Sequence, residues 1–275
     1  MKALAGIILF SAILVACGGG GSSSSGTNVA PVSAPSPPEP IPPDDFPDYV
    51  LLDTPEVLSN VTNRLQGLAI DDFFEEAYRI TAERDPEKVI ADGLIDEFQL
   101  SAIELTNISD EYYFQTVAIW ETIVELLQEL DRSALAVDDQ VSYDVYLAFL
   151  ALDIEGAQYR DYQYPASYGF WGWPGDTETF FNRLAPINNA EDAENYLVLL
   201  DQFGRRFRQI GDLLDARAAA GVREPFFTFD YSRSLLETVT GQIATSTSYY
   251  GAFSSALEML DSLEQAEKED LLDRA

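Results

Sequence analysis

The sequence predicts an all-α fold, a multi-helix bundle with an aromatic, Gly/Pro-rich ordered loop, and three observations carry that expectation. Apolar residues beyond Leu51 recur at spacings of three and four, the period of a helix face. No stretch alternates polar and apolar residues for long enough to read as a strand. The apolar fraction of 47% is that of a chain able to bury a core.

Before the helical part the chain opens with Lys2, an apolar run from Ala3 to Phe10 and Ile13, and Leu14-Val15-Ala16-Cys17. A small residue before the cysteine and Gly18 after it form a bacterial lipobox, so residues 1–16 read as a lipoprotein signal peptide and Cys17 as the lipidated residue. The apolar run is too short for a membrane-spanning helix. Residues 17–50 carry Gly18 to Gly21, Ser22 to Ser25 and a proline-rich end at Pro42-Pro43-Asp44-Asp45, which buries nothing and reads as a disordered tether. The expected destination is the cell envelope, with the lipid on Cys17 as the link to the membrane. Gly18 in place of an acidic residue resembles the sorting signal for the outer membrane of a Gram-negative host.

Residues 51–275 read as the helical domain. An early helix carries Ile70, Phe73, Phe74, Ala77, Tyr78 and Thr81, and Asp85-Pro86 ends it and opens the next element. From Tyr112 to Leu130, one seam holds Tyr113, Val117, Trp120, Val124 and Leu127, and the adjacent seam holds Ile119, Ile123, Leu126 and Leu130. A face that wide packs against more than one neighbour, and Ser109, Asp110 and Glu111 supply its start signals. The next helix is expected from about Ser142 to Tyr159, aligning Tyr143, Leu147, Leu150, Ile154 and Ala157, with Asp138 and Asp139 ahead of it. A third long helix, Glu191 to Ala220, aligns Tyr196, Leu200, Phe203, Phe207, Ile210 and Leu214 and stops at Gly221. Towards the C-terminus a helix is expected near Ser232 to Ile243, then a break at Thr245 to Ser248. A final amphipathic segment runs through Leu257, Leu260, Leu263, Leu271 and Leu272.

Composition excludes more chemistry than any motif supplies. The chain has 47 acidic and 16 basic residues and a net charge of −31, which repels nucleic-acid phosphates and anionic headgroups. There is no histidine, so no His-Glu-x-x-His zinc site, Ser-His-Asp triad or imidazole base can form. One cysteine permits no intramolecular disulfide. The carboxylate pairs Asp71-Asp72, Glu75-Glu76 and Asp138-Asp139 lack calcium-loop spacing and read as helix starts or wet faces. No catalytic and no metal-binding residue is assigned.

Between Tyr162 and Pro174 the helical period fails. Tyr164, Tyr168, Phe170, Trp171 and Trp173 crowd a stretch punctuated by Pro165, Gly169 and Gly172. These five are the candidate ligand-contact residues, because rings give large contact area at small entropic cost; the alternative is a loop folded back to cap the bundle. Arg205, Arg206 and Arg208 are expected to pair with carboxylates, with a clamp on a substrate carboxylate as the other reading.

Several stretches together resemble a known family. They are Phe73-Phe74-Glu75-Glu76 with Asp85-Pro86-Glu87, Leu130-Asp131-Arg132, Asp138-Asp139-Gln140-Val141-Ser142-Tyr143-Asp144, Tyr164-Pro165, Ala190-Glu191-Asp192-Ala193-Glu194-Asn195-Tyr196 and Gly221-Val222-Arg223-Glu224-Pro225. In order and spacing they resemble the opening half of the bacterial domain of unknown function 885 family, from about residue 68 to near the end. The resemblance implies a mostly helical, exported or lipid-anchored protein similar to gluzincin-type zinc metallopeptidases. Their metal motif, His-Glu-x-x-Pro-Gly-His-His, lies further towards the C-terminus than this chain extends. Zinc is therefore expected only in a full-length member, and no cofactor in this chain. The expectation is the non-catalytic N-terminal helical half of such a protein, inactive alone, either as a truncated gene product or as a free-standing module. The alternative is a non-enzymatic envelope lipoprotein that binds a peptide or protein partner.

Overall fold

The computed structural model describes residues 49–99, 103–167 and 172–275. The expected signal peptide, Cys17 and the tether up to residue 48 lie outside the described residues. Among the described residues every regular element is helical, with twelve α-helices and no strand. The all-α expectation holds.

The first helices are α1 (Thr54–Leu65), α2 (Ile70–Ala82) and the short α3 (Pro86–Ala91) and α4 (Ile95–Phe98); the long α5 (Asp110–Gln128) and α6 (Val137–Gly156) follow. On α2 Phe73 and Ala77 are buried as expected, whereas Tyr78 is exposed and Ile80 takes the next buried position. Asp85 caps α3 by accepting from the Lys88 N–H, and Pro86 takes the first helical position, where no N–H is needed. Ile119, Ile123, Leu126 and Leu127 of α5 pack with Val61 and Leu65 of α1, Phe73 of α2, and Tyr143 and Leu150 of α6 in one buried cluster. The width of the α5 apolar face is explained by α1 and α6 both packing on it.

Two starts differ from the sequence reading. Helix α6 begins at Val137 rather than Ser142, which places Asp138 and Asp139 inside its first turn, where the helix dipole favours them. At α5 the cap is Ser109, whose hydroxyl accepts from the Tyr112 N–H. Asp110 is freed for another task.

A 3-10 turn (Ala157–Tyr162) leads into the aromatic loop, and α7 (Trp173–Thr179) runs into a π-helical turn (Phe180–Leu184). The expected helix Glu191 to Ala220 is two helices, α8 (Ala190–Leu200) and α9 (Phe203–Ala219), broken at Asp201-Gln202. The apolar period crosses the break, so composition does not reveal it. Gln202 shows its cause: its side chain accepts from the Leu105 N–H at 2.8 Å and donates to the Ile103 carbonyl at 3.0 Å, tying the turn to an extended stretch of the chain. Helix α9 ends as expected at Gly221, whose φ of +80° suits glycine. The Val222 N–H then reaches the Arg217 carbonyl and the Gly221 N–H that of Ala218, a Schellman closure.

Helix α10 (Phe226–Thr240) starts six residues before the expected Ser232, directly after Pro225, which ends the preceding loop. The final amphipathic segment is two helices, α11 (Ser248–Glu258) and α12 (Gln265–Arg274). At the second start the Glu267 carboxylate accepts from the Glu264 N–H at 2.8 Å. Leu197, Leu199, Phe253, Leu257, Leu260 and Leu271 join Phe180, Phe181 and Tyr196 in a second buried cluster. Its centre is aromatic: Phe181 meets Phe203 edge-on at 4.7 Å and Tyr196 stacks on Phe253 at 4.9 Å. No helix among the described residues is long and apolar enough to cross a membrane.

Candidate functional site

Along α9 the interior turns polar. One face of α9 presents Arg206, Ile210, Leu213 and Arg217, four buried side chains at helical spacing with a guanidinium at each end. Ile210 and Leu213 pack with Ile108 and Ala166, so α9 is clamped by the extended stretch before α5 and by the aromatic loop. A buried guanidinium is stable only when paired, and carboxylates from distant elements supply the pairing.

Arg206, 1% exposed, forms an ion pair with Glu87 of α3 and donates to the Thr106 carbonyl at 3.0 Å and the Thr177 hydroxyl at 3.2 Å. The expectation that this cluster pairs with carboxylates holds for Arg206. Arg205 instead lies over the Tyr49 ring at 3.6 Å, so Tyr49, within the stretch read as tether, packs against α9. Burial pushes the Tyr49 hydroxyl up to about 12. Arg217 pairs with Asp110, and Arg160 of the 3-10 turn reaches the same carboxylate at 2.8 Å. Partial burial opposes the charge on Asp110, but the hydrogen bonds from Arg217 and Arg160, with their positive charge, outweigh it and hold the carboxyl below its ordinary value.

Arg160 and Arg217 also border a cavity of about 410 Å³. Tyr164 and Trp173 line it, so the structure brings together two of the five aromatic residues picked out in the sequence; Tyr168, Phe170 and Trp171 lie outside the described residues. Trp173 is placed by its N–H, which donates to the Pro165 carbonyl at 3.0 Å across the loop. Gly172 permits that approach, since a Cβ there would stand 1.8 Å from the Ser167 carbonyl oxygen. On the rim, partial burial and the charge of Glu87 push the Asp176 carboxyl up. A further cavity of about 420 Å³ lies between Tyr164 and the start of α10, where burial likewise raises Glu224, which accepts from the Ala166 N–H at 2.9 Å.

The spacing of Arg206 and Arg217 on α9 is visible in the sequence, but their partners are not: Glu87 and Asp110 lie 119 and 107 residues away. The zinc that the family resemblance implies does not fit these residues. Oxygen is the donor they offer, and among the described residues no group of three or more His, Cys, Asp or Glu could hold a metal ion. The ion pairs join α9 to α3, α5 and the 3-10 turn, and the cavity beside them has Tyr164 and Trp173 in its lining.

A family model described as bacterial protein of unknown function (DUF885) matches residues 86–275. No curated protein matches the chain. No solved structure matches it either.

Proposed function

The chain belongs to the DUF885 family of bacterial proteins, and on that premise we propose that it is a lipid-anchored envelope protein whose helical domain is a non-catalytic module of a metallopeptidase-like architecture. The module supplies shape and surface: it frames a cleft and offers apolar helix faces to the part of the protein that carries chemistry. No step of hydrolysis is assigned to its residues.

One observation carries this reading. Val137, Val141, Val145, Phe149 and Leu152 form an exposed apolar stripe along α6, whose opposite face is buried against α5. Phe226, Phe227 and Phe229 stand exposed at the start of α10. Contiguous apolar surface of this kind on a folded chain marks a place where another surface docks. A helix that is apolar on both sides is built to be covered on both sides.

The anchoring part is tested by metabolic labelling with a radioactive fatty acid in a bacterial host. Label in the natural chain and none in Cys17→Ser supports it, because the thiol is the acylated atom. Equal label in both rules the anchor out. The cavity lined by Tyr164 and Trp173 favours a second reading, an envelope lipoprotein that binds a peptide or protein partner without catalysis.

A further inference from the structure

We infer that a third cavity, between the end of α2, the first turns of α5 and the Thr106–Ile108 stretch, binds an aryl carboxylate, a planar ring with a carboxylate close to it, through Arg84. The cavity encloses about 300 Å³, and Arg160 and Trp173 form a wall shared with the larger cavity beside Tyr164. That size accommodates a ring of this class. The inference stands whether or not the chain is lipid-anchored.

Three cations border this space, and their pairing distinguishes them. Lys88 is bound by Asp92 at 2.6 Å and Arg160 by Asp110 at 2.8 Å. Arg84 meets no carboxylate among the described residues. Its partners are neutral: the Thr116 hydroxyl at 3.1 Å, the Gln115 side-chain oxygen at 2.9 Å and the Tyr112 carbonyl at 3.0 Å. A guanidinium has five N–H donors, so those bonds hold it in place and leave two for a ligand. Its position is fixed further by the Tyr112 ring, 3.4 Å beneath it. Asp85, the carboxylate on the cavity wall, does not pair with Arg84; its Oδ1 accepts from the Lys88 N–H and from the Thr106 hydroxyl at 2.6 Å.

An unpaired, half-buried guanidinium is costly in a chain that carries 47 carboxylates. Burial lowers the Arg84 pKa. The arginines that are fully buried among the described residues, Arg160, Arg206 and Arg217, all have carboxylate partners. A bound carboxylate would complete Arg84 in the same way, with the paired N–H geometry that guanidinium offers to a planar anion.

The walls specify the rest of the ligand. Tyr78, Tyr113, Trp120 and Trp173 line the cavity and suit a flat apolar ring. A net charge of −31 repels polyanions, so a single carboxylate on an apolar body suits the site better than a phosphate. Two sources carry this chemistry: a free aryl acid, or a peptide whose last residue is aromatic.

The test is calorimetric titration of the full chain, purified in detergent, with 3-phenylpropionate and Gly-Gly-Phe, each as acid and as amide. Quenching of Trp120 and Trp173 fluorescence supplies an independent readout. We expect at least one acid to bind about tenfold or more tightly than its amide, as a charge-assisted bond to guanidinium requires. Binding of the free acid alone identifies a small-molecule site, and binding of the peptide acid identifies a chain-end site. Arg84→Gln should remove the preference for acid over amide and Arg84→Lys should restore part of it. If the Gln variant fails to fold, the acid-to-amide ratio of the natural chain still decides. Equal affinity for acids and amides, or no saturable binding of either acid at millimolar concentration, overturns the inference.

Discussion

Glu87 and Arg206 form an ion pair across the interior although 119 residues separate them in sequence, and Arg206 is 1% exposed. Glu87 stands at the first turn of α3 and Arg206 near the start of α9, so the pair joins the N-terminal helices to the C-terminal ones. Its chemical meaning lies in the asymmetry of buried charge: replacing both partners can be neutral, whereas removing one strands the other.

Glu87→Gln should therefore destabilise the protein by about 3–5 kcal/mol, read as a fall in the urea midpoint with the slope unchanged. Glu87→Leu combined with Arg206→Met should cost less than the single change. A double variant weaker than Glu87→Gln would contradict this account of the pair.

Acid should weaken the Asp110 junction. The Asp110 carboxyl is held below its ordinary value in the fold, so its contribution is fully present above the unfolded value, near pH 4, and is lost as pH falls through the folded one. Asp176 and Glu224, both pushed up by burial, act with the opposite sign and favour the fold as pH falls through their raised values. The stability gap between the natural chain and Asp110→Asn should be constant above about pH 5 and narrow between about pH 5 and about pH 2 in urea titrations. A gap that stays constant over that range would show that Asp110 is not the acid-labile group.

Gly221 is irreplaceable for its backbone rather than for its surroundings. Its φ is +80° and a Cβ would meet nothing within 4 Å. Gly221→Ala should then cost about 1–2 kcal/mol, the penalty for a left-handed L-residue, and Gly221→Asn should cost less. Thermal unfolding of the two variants checks the order.

Much of the fold was legible because apolar spacing survives in any helix that buries one face. Phe73, Ala77 and Ile80 on α2 and Ile119, Ile123 and Leu126 on α5 show this directly. The break at Asp201-Gln202 was not legible, since α8 and α9 bury apolar faces in step and the cause is a side-chain bond to Ile103 and Leu105, about a hundred residues distant. Asp110 reads as a helix start in the sequence because local charge is visible there, whereas its two arginine partners are tertiary. Of the candidate site, Tyr164 and Trp173 were visible as a cluster of rings. Arg84 was not, because its significance is that no carboxylate among the described residues pairs with it, and sequence does not display pairing.

The apolar stripe on α6 should bind a hydrophobic fluorescent dye while the chain is fully folded. Val145→Lys with Phe149→Lys should lower that signal and change stability by no more than about 0.5 kcal/mol, since both side chains are exposed. Dye signal unchanged by the two lysines would place the apolar surface elsewhere.

Whether this helical module is non-catalytic is decided by peptide hydrolysis assayed with the full chain in the presence of zinc, before and after a chelator. Only the background rate is expected in both conditions, because the chain has no histidine with which to bind catalytic zinc. Hydrolysis above background that the chelator abolishes and added zinc restores would contradict it.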